Sequence, residues 1–214
     1  MSDSLALARQ TPESLQLEDA WPMLLREQVA DAEWLQFSMG GATSSDLLAQ
    51  SEYWLHARQD VSWLIVQAGI VDCAPRAFSR NELVQQKALA LFTRVFPRSG
   101  RRLFEWLRRR RNVSYIGPER FRQNVQAFRE LANRRGIRLL WLPVLGAEFY
   151  EGILPGVTEK IAQTNEILQQ ELGGALVDTR LPEAWYMADG HHLRLEAHRH
   201  LAHVILKHIN EERY

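Results

Sequence analysis

The sequence has one cysteine, no net charge and no apolar run long enough to cross a bilayer, which takes about 18–20 residues. A lone Cys73 excludes an internal disulfide and a four-thiolate metal site. With 26 basic residues against 26 acidic ones, no bulk charge draws the chain to phosphate, and nucleic acid is not an expected partner. The start, Met1-Ser2-Asp3-Ser4, is acidic and polar, without the basic region and apolar run of a signal peptide. There is no internal repeat and no low-complexity linker. These absences together read as a cytoplasmic protein. What is present suits one domain: 214 residues, 46% hydrophobic and 24% charged, enough to bury a substantial core and too apolar for disorder.

Short strand-like runs alternate with longer helical ones. Trp63 to Ala68 is compact, apolar and closed by Gly69; Arg138 to Leu145 is closed by Gly146. Ala175 to Val177 and Leu35-Gln36-Phe37 are weaker strand candidates. Helical spacing runs over Leu15 to Ala30, with Pro22 near the first turn, and over Phe121 to Arg135 and Val157 to Leu172. A last helix, about Leu195 to Ile209, sets Leu201, Ile205 and Ile209 on one face. Strands alternating with helices predict an α/β domain over residues 1–214, with helices on both faces of a parallel sheet.

One segment breaks that rhythm. From Arg94 to Arg111 there are eight arginines and a single acid, Glu105, interleaved with Phe96, Leu103, Phe104, Trp106 and Leu107. It reads either as a solvated helix or insertion whose arginines flank an apolar stripe, or as a face for an anionic partner: acidic polysaccharide, lipid head groups or protein.

The densest chemical signal lies near the C-terminus. In Asp189-Gly190-His191-His192 an acid stands three residues before a histidine, across a glycine turn. That spacing lets the carboxylate reach Nδ1, fix the tautomer and stabilise the imidazolium after proton transfer. Of the other tail histidines, His198 and His200 point to opposite sides of a helix; His200 and His203 face one way but lack further ligands in a metal-binding spacing. No metal or cofactor is expected. At the other end, Ser4 in Asp3-Ser4-Leu5 precedes a helical turn, where its N–H would point at an oxyanion; the same pattern also reads as a plain N-cap. Gly40-Gly41-Ala42-Thr43-Ser44 and Gly69-Ile70-Val71-Asp72 are further turns from strand to helix. All would sit at the C-terminal edge of the sheet, where open α/β folds place their sites.

Taken in order, DSL, GATS, GIVD and DGHH resemble the four sequence blocks of the SGNH/GDSL hydrolases, serine esterases and lipases on a flavodoxin-like three-layer α/β/α sandwich. The most specific part is DGHHLRLEAHRHLA, similar to the family's DGxHLxxxGHxxxA, with Ala197 in the second glycine's place. The resemblance implies Ser4 as nucleophile, His192 as general base and later acid, and Asp189 to orient it. The Ser4 and Gly41 N–H groups would form the oxyanion hole. It implies acyl transfer from an ester, an O-acetyl group on a glycan among the candidates.

This chain departs from the family pattern at three further places. Ser2 takes the glycine position of the first block, and Val71 takes the place of an asparagine that donates to the oxyanion. Arg76 is the candidate replacement donor, and Asp72 and Arg76 are candidates for substrate or site contact. Only three residues precede Ser4, where a central strand of about five is expected, so the first strand reads as truncated and the natural start as lying upstream. Two other readings stay open: an O-acyltransferase using the same serine, and a catalytically weak SGNH-fold protein that docks through its arginine-rich segment.

Overall fold

A computed structural model describes residues 1–29 and 32–211. Its two full strands are β1, Trp63–Gln67, and β2, Arg138–Leu142, paired in parallel with Trp63 opposite Arg138. β2 ends where Pro143 removes the next N–H donor, short of the predicted Leu145. Three further segments join by parallel bridges: Ser2 lies between Ser38 and Gln67, and Leu176 lies beside Trp141. In chain order the sheet therefore runs 2-1-3-4-5, the flavodoxin-like order. The candidate strand at residues 35–37 pairs only at its end, through Ser38. Of the candidate strand at residues 175–177, Ala175 ends the 3₁₀ turn Gly173–Ala175, Leu176 bridges Trp141, and the Val177 N–H donates to Trp141 O.

The segment leading into Ser4 is three residues long and central. Ser2 N–H donates to Phe37 O at 2.9 Å, Asp3 N–H to Gln67 O at 3.2 Å, and the Met1 amino group to Ile65 O at 2.6 Å. Behind it lies a cavity of about 920 Å³ lined by Leu35, Phe37, Trp63 and Ile65, among others.

The helices are α1, Trp21–Gln28; α2, Ser44–Ala57; α3, Ile70–Cys73; α4, Leu83–Val95; α5, Pro97–Arg111; α6, Pro118–Arg135; α7, Tyr150–Ile153; α8, Val157–Leu172; and α9, Leu195–Glu211. α1 is shorter than predicted. It starts at Trp21 with Pro22 in the first turn, while Leu15 instead bridges Arg9; the predicted end, Ala30, lies outside the described residues. α6 starts earlier than predicted because Pro118 and Glu119 suit a first turn. α8 keeps its predicted bounds. The arginine-rich segment is helical, and α5 folds back on α4 as a hairpin.

Strand periodicity divides the core in two. Leu64, Val66 and Trp141 face α2, α6 and α8, whereas Ile65, Leu140 and Leu142 face α1 and α9. Trp141 is fully buried, edge-on to Phe121 and Phe128. An aromatic in such a place contributes about 3–5 kcal/mol. On the second face, Leu201, Ile205 and Ile209 of α9 are all buried. There His198 Nδ1 accepts the Trp21 N–H at 3.2 Å, and burial pushes this imidazole down to about 4. His198 thus joins α9 to α1 as a neutral acceptor. The result is a three-layer α/β/α fold. Among the described residues, no helix is long and apolar enough to cross a membrane.

Candidate active site

Each strand delivers a turn to the same edge. Asp3 ends the first segment and caps the 3₁₀ turn Ser4–Ala6, its Oδ1 accepting the Leu5 N–H at 2.9 Å. This turn presents Ser4, half-buried, at the edge. From the far end of the chain, Asp189 and His192 arrive on a turn closed by two backbone bonds, Gly190 N–H to Met187 O and Met187 N–H to His192 O. The three side chains meet. Ser4 Oγ lies 3.3 Å from His192 Nε2, and His192 Nδ1 lies 2.5 Å from Asp189 Oδ2.

The electrostatics match that geometry. Burial opposes ionisation of Asp189, but hydrogen bonds from the His192 ring and N–H and the two imidazoles outweigh it. The carboxyl is held well below the usual range and stays charged at neutral pH. Its contact at Nδ1 leaves Nε2 toward Ser4, the arrangement a general base needs. The 3.3 Å separation is longer than the usual distance for such a hydrogen bond. His191 stacks on Tyr150 with ring centroids 5.1 Å apart, and burial together with the neighbouring His192 pushes it down to about 4. Asp189, His191 and His192 also have donor atoms within 4.8 Å of one another, a spacing that suits a metal ion. The shortest of those separations is the 2.5 Å Asp189–His192 hydrogen bond.

Gly41 sits in the turn before α2 with φ +72°, left-handed and open to solvent. The N–H groups of Ser4 and Gly41 have no acceptor among the described residues. Val71 is buried in the apolar core and brings no donor.

Asp72, a candidate for substrate contact, is spent inside the protein: it is buried, and its carboxylate takes the Ser44 N–H at 3.0 Å and the Ser44 hydroxyl at 2.5 Å. Asn124 of α6 in turn donates to Ser44 Oγ at 2.7 Å. This chain ties the turn bearing Gly41 to the turn bearing Val71. A polar Asn124 between Phe121, Val125 and Phe128 on the buried face of α6 was the sequence signal for it. Arg76 lies over the Tyr115 ring, 4.8 Å from its centroid, its backbone pairs with Val113, and it makes no hydrogen bond to Ser4 or Gly41. His200 and His203 do not come together on an ion: His200 Nε2 lies 3.0 Å from Thr179 Oγ1, and His203 is exposed.

Sequence reasoning missed Arg9. Its guanidinium donates to Ser4 O at 2.5 Å. Burial lowers its basicity, and the nearby Asp189 and Asp3 charges offset this. It holds the backbone of the Ser4 turn, and no motif in the sequence marked it.

Asp3 is fully buried, and its Oδ2 has no partner. Burial pushes its carboxyl up to about 7, with Asp72 adding and the Leu5 N–H and Arg9 opposing. The folded chain therefore holds a proton here that the unfolded chain releases near 4. By linkage, this group's stabilisation is complete below about 4 and is lost as pH rises through about 7. We expect the melting-temperature advantage of Asp3→Asn over wild type to grow from pH 4 to pH 7 and to be flat above it. Parallel melting curves across that range would refute the assignment.

No protein-family model matches this sequence, and no curated protein is significantly similar to it. Solved structures do match over nearly the whole chain. One is a protein assigned to the lipolytic G-D-S-L family from Desulfitobacterium hafniense, 14% identical with a TM-score of 0.63, covering 97% of this chain and 96% of its own. A lipase/acylhydrolase from Enterococcus faecalis is 15% identical with a TM-score of 0.63, covering 99% and 93%. Axe2, an acetylxylan esterase from Geobacillus stearothermophilus, is 15% identical with a TM-score of 0.63, covering 97% and 91%. The chain has an SGNH/GDSL hydrolase-like fold.

Proposed function

We propose that this protein is a serine hydrolase of carboxylic esters. The observation that carries the reading is the relay from Ser4 Oγ to His192 Nε2 at 3.3 Å and from His192 Nδ1 to Asp189 at 2.5 Å. Ser4 Oγ attacks the ester carbonyl carbon as its proton passes to His192 Nε2. The resulting oxyanion accepts the Ser4 and Gly41 N–H groups. Collapse breaks the bond to the alcohol oxygen, which leaves with the proton from His192. Water then attacks the acyl-serine, again through His192, and releases the acid.

With Val71 in place of a third donor, turnover is expected to be slow, since one such donor is worth on the order of 10²–10³ in rate. For the substrate class we favour an O-acetyl ester on a carbohydrate, supported by the likeness to an acetylxylan esterase.

A serine-reactive fluorophosphonate tests the reading directly. One label per chain is expected on Ser4, lost in Ser4→Ala and in His192→Ala. Folded wild-type protein that takes no label would sink the proposal.

A further inference from the structure

The hairpin of α4 and α5 closes over a second cavity. A Cβ at Gly100 would fall 2.5 Å from Thr93 Cα, so the two helices touch backbone to backbone there. Together with the loop that follows α3 they enclose about 570 Å³. Arg101 and Arg108 of α5 and Arg76 of that loop line the space, along with the rings of Phe104 and Tyr115. Glu105 is the one acid in the lining.

The protein leaves these positive charges uncompensated. Arg76 rests on Tyr115 and makes no ion pair or side-chain hydrogen bond among the described residues, and its Nε is buried without an acceptor. The Arg108 Nε is buried and unaccepted too; among the described residues its guanidinium makes one hydrogen bond, to Ile153 O at 3.1 Å. Arg101 is exposed and has no acid partner among the described residues. Arg111, at the end of the same helix, differs: it pairs with Glu82 at 2.8 Å. Arg76 and Arg108 are half-buried around one small space, where repulsion between like charges is less screened than on an open face.

The cavity also lies at the functional edge. Arg76 follows β1 and α3, and Ile153 follows β2, so both stand past the C-terminal ends of strands, as Ser4 does. One ring links the two places. Tyr150 stacks on His191, and Arg76, Arg108 and Asp189 all lie close enough to act on its hydroxyl.

We propose that this cavity is a subsite for an anionic group, a carboxylate or a phosphate, on the alcohol part of the ester, held by Arg76, Arg101 and Arg108. The proposal rests on the esterase reading and narrows its substrate from an acetylated carbohydrate to an acidic one. Because the acetyl group has no charge, the anion belongs to the alcohol part. Planar guanidinium donors match the oxygens of carboxylate and phosphate. The volume falls within the roughly 300–1,000 Å³ of small-ligand sites, and Phe104 and Tyr115 offer apolar faces to a sugar ring.

Calorimetric titration of the Ser4→Ala chain measures binding without turnover. Glucuronate and glucose 6-phosphate, set against glucose, separate carboxylate from phosphate. At least one of the two acidic sugars is expected to bind about tenfold more tightly than glucose, and added salt should weaken it. Arg76→Gln should weaken that binding about tenfold, and Arg76→Lys less, since the charge remains and only the fork is lost. Arg101→Gln, on an exposed side chain that folding does not need, should weaken it about threefold. In the active chain, acetate release from the acetylated acidic sugar is compared with release from acetylated glucose. The ratio of the two kcat/KM values should fall about tenfold in Arg76→Gln. Damage to the fold would lower both rates alike and leave that ratio unchanged.

Equal affinity for all three sugars overturns the subsite, as does no binding of either acidic one. Binding that both glutamine variants leave unchanged overturns it as well. Phosphonate labelling reports on Ser4 and needs no occupied cavity. Label without acidic-sugar binding therefore removes the subsite alone, and binding without label removes the esterase reading alone.

Discussion

Replacing Asp189 with asparagine is expected to lower ester turnover about 10⁴-fold with the fold intact, the size of effect seen when a triad carboxylate becomes an amide. The reason is local. Asp189 Oδ2 accepts from His192 Nδ1 at 2.5 Å, so the proton sits on Nδ1 and Nε2 presents a lone pair to Ser4. An amide NH₂ at that position donates to Nδ1 and drives the proton to Nε2, where it blocks proton transfer from the serine. Asp189 Oδ1 also accepts the N–H groups of His191 and His192, at 3.3 and 3.0 Å, and an amide oxygen can keep these bonds. Hydrolysis of p-nitrophenyl acetate and the rate of phosphonate labelling should therefore fall together while the melting temperature moves by only a few degrees. A loss of less than about tenfold would remove Asp189 from the relay.

The second large effect is structural and falls on Gly190. Its φ is +80°, and a Cβ would lie 2.7 Å from Tyr150 Cβ and 2.9 Å from Tyr150 Cα. Backbone is one of the obstacles, so a rotamer change alone cannot clear it. We expect Gly190→Ala to cost about 3 kcal/mol, from left-handed strain added to overpacking. Because Gly190 O also takes the Ala147 N–H at 2.8 Å, and the turn carries both Asp189 and His192, turnover should fall further than stability alone requires. Gly174→Ala provides the control: nothing lies within 4 Å of its Cβ position, and a near-neutral result is expected. Equal denaturation midpoints for Gly190→Ala and wild type would disprove the close approach.

The same contrast between local and distant contacts separates what could be read in the sequence from what could not. Residues 157–172 announce their helix by spacing alone, and α8 forms over those residues. Trp63–Gln67 announces a buried strand because both its faces are apolar, and the structure uses both. The Asp189-to-His192 spacing anticipates a carboxylate on Nδ1, because the contact closes within one turn.

Where prediction and structure part, a distant segment intervened. Asp72 looked like a site residue because it follows a strand at the functional edge; it turns inward because Ser44 and Asn124 arrive from α2 and α6 to satisfy it. A buried carboxylate needs such partners, and none of them is near it in sequence. Arg9 on Ser4 O and the Gly100–Thr93 contact that shapes the basic hairpin were equally silent.

By itself, then, the sequence determined that there is one cysteine, no net charge, alternating strands and helices, and a histidine with its carboxylate. Those properties depend on composition and on neighbours within a few residues. Only the tertiary structure decided that Ser4 faces that histidine across 188 positions of chain, that Ser2 bridges both Ser38 and Gln67 at the centre of the sheet, and that the positive charge stands on one exposed hairpin. These depend on which surfaces exclude water together, and no local pattern encodes that.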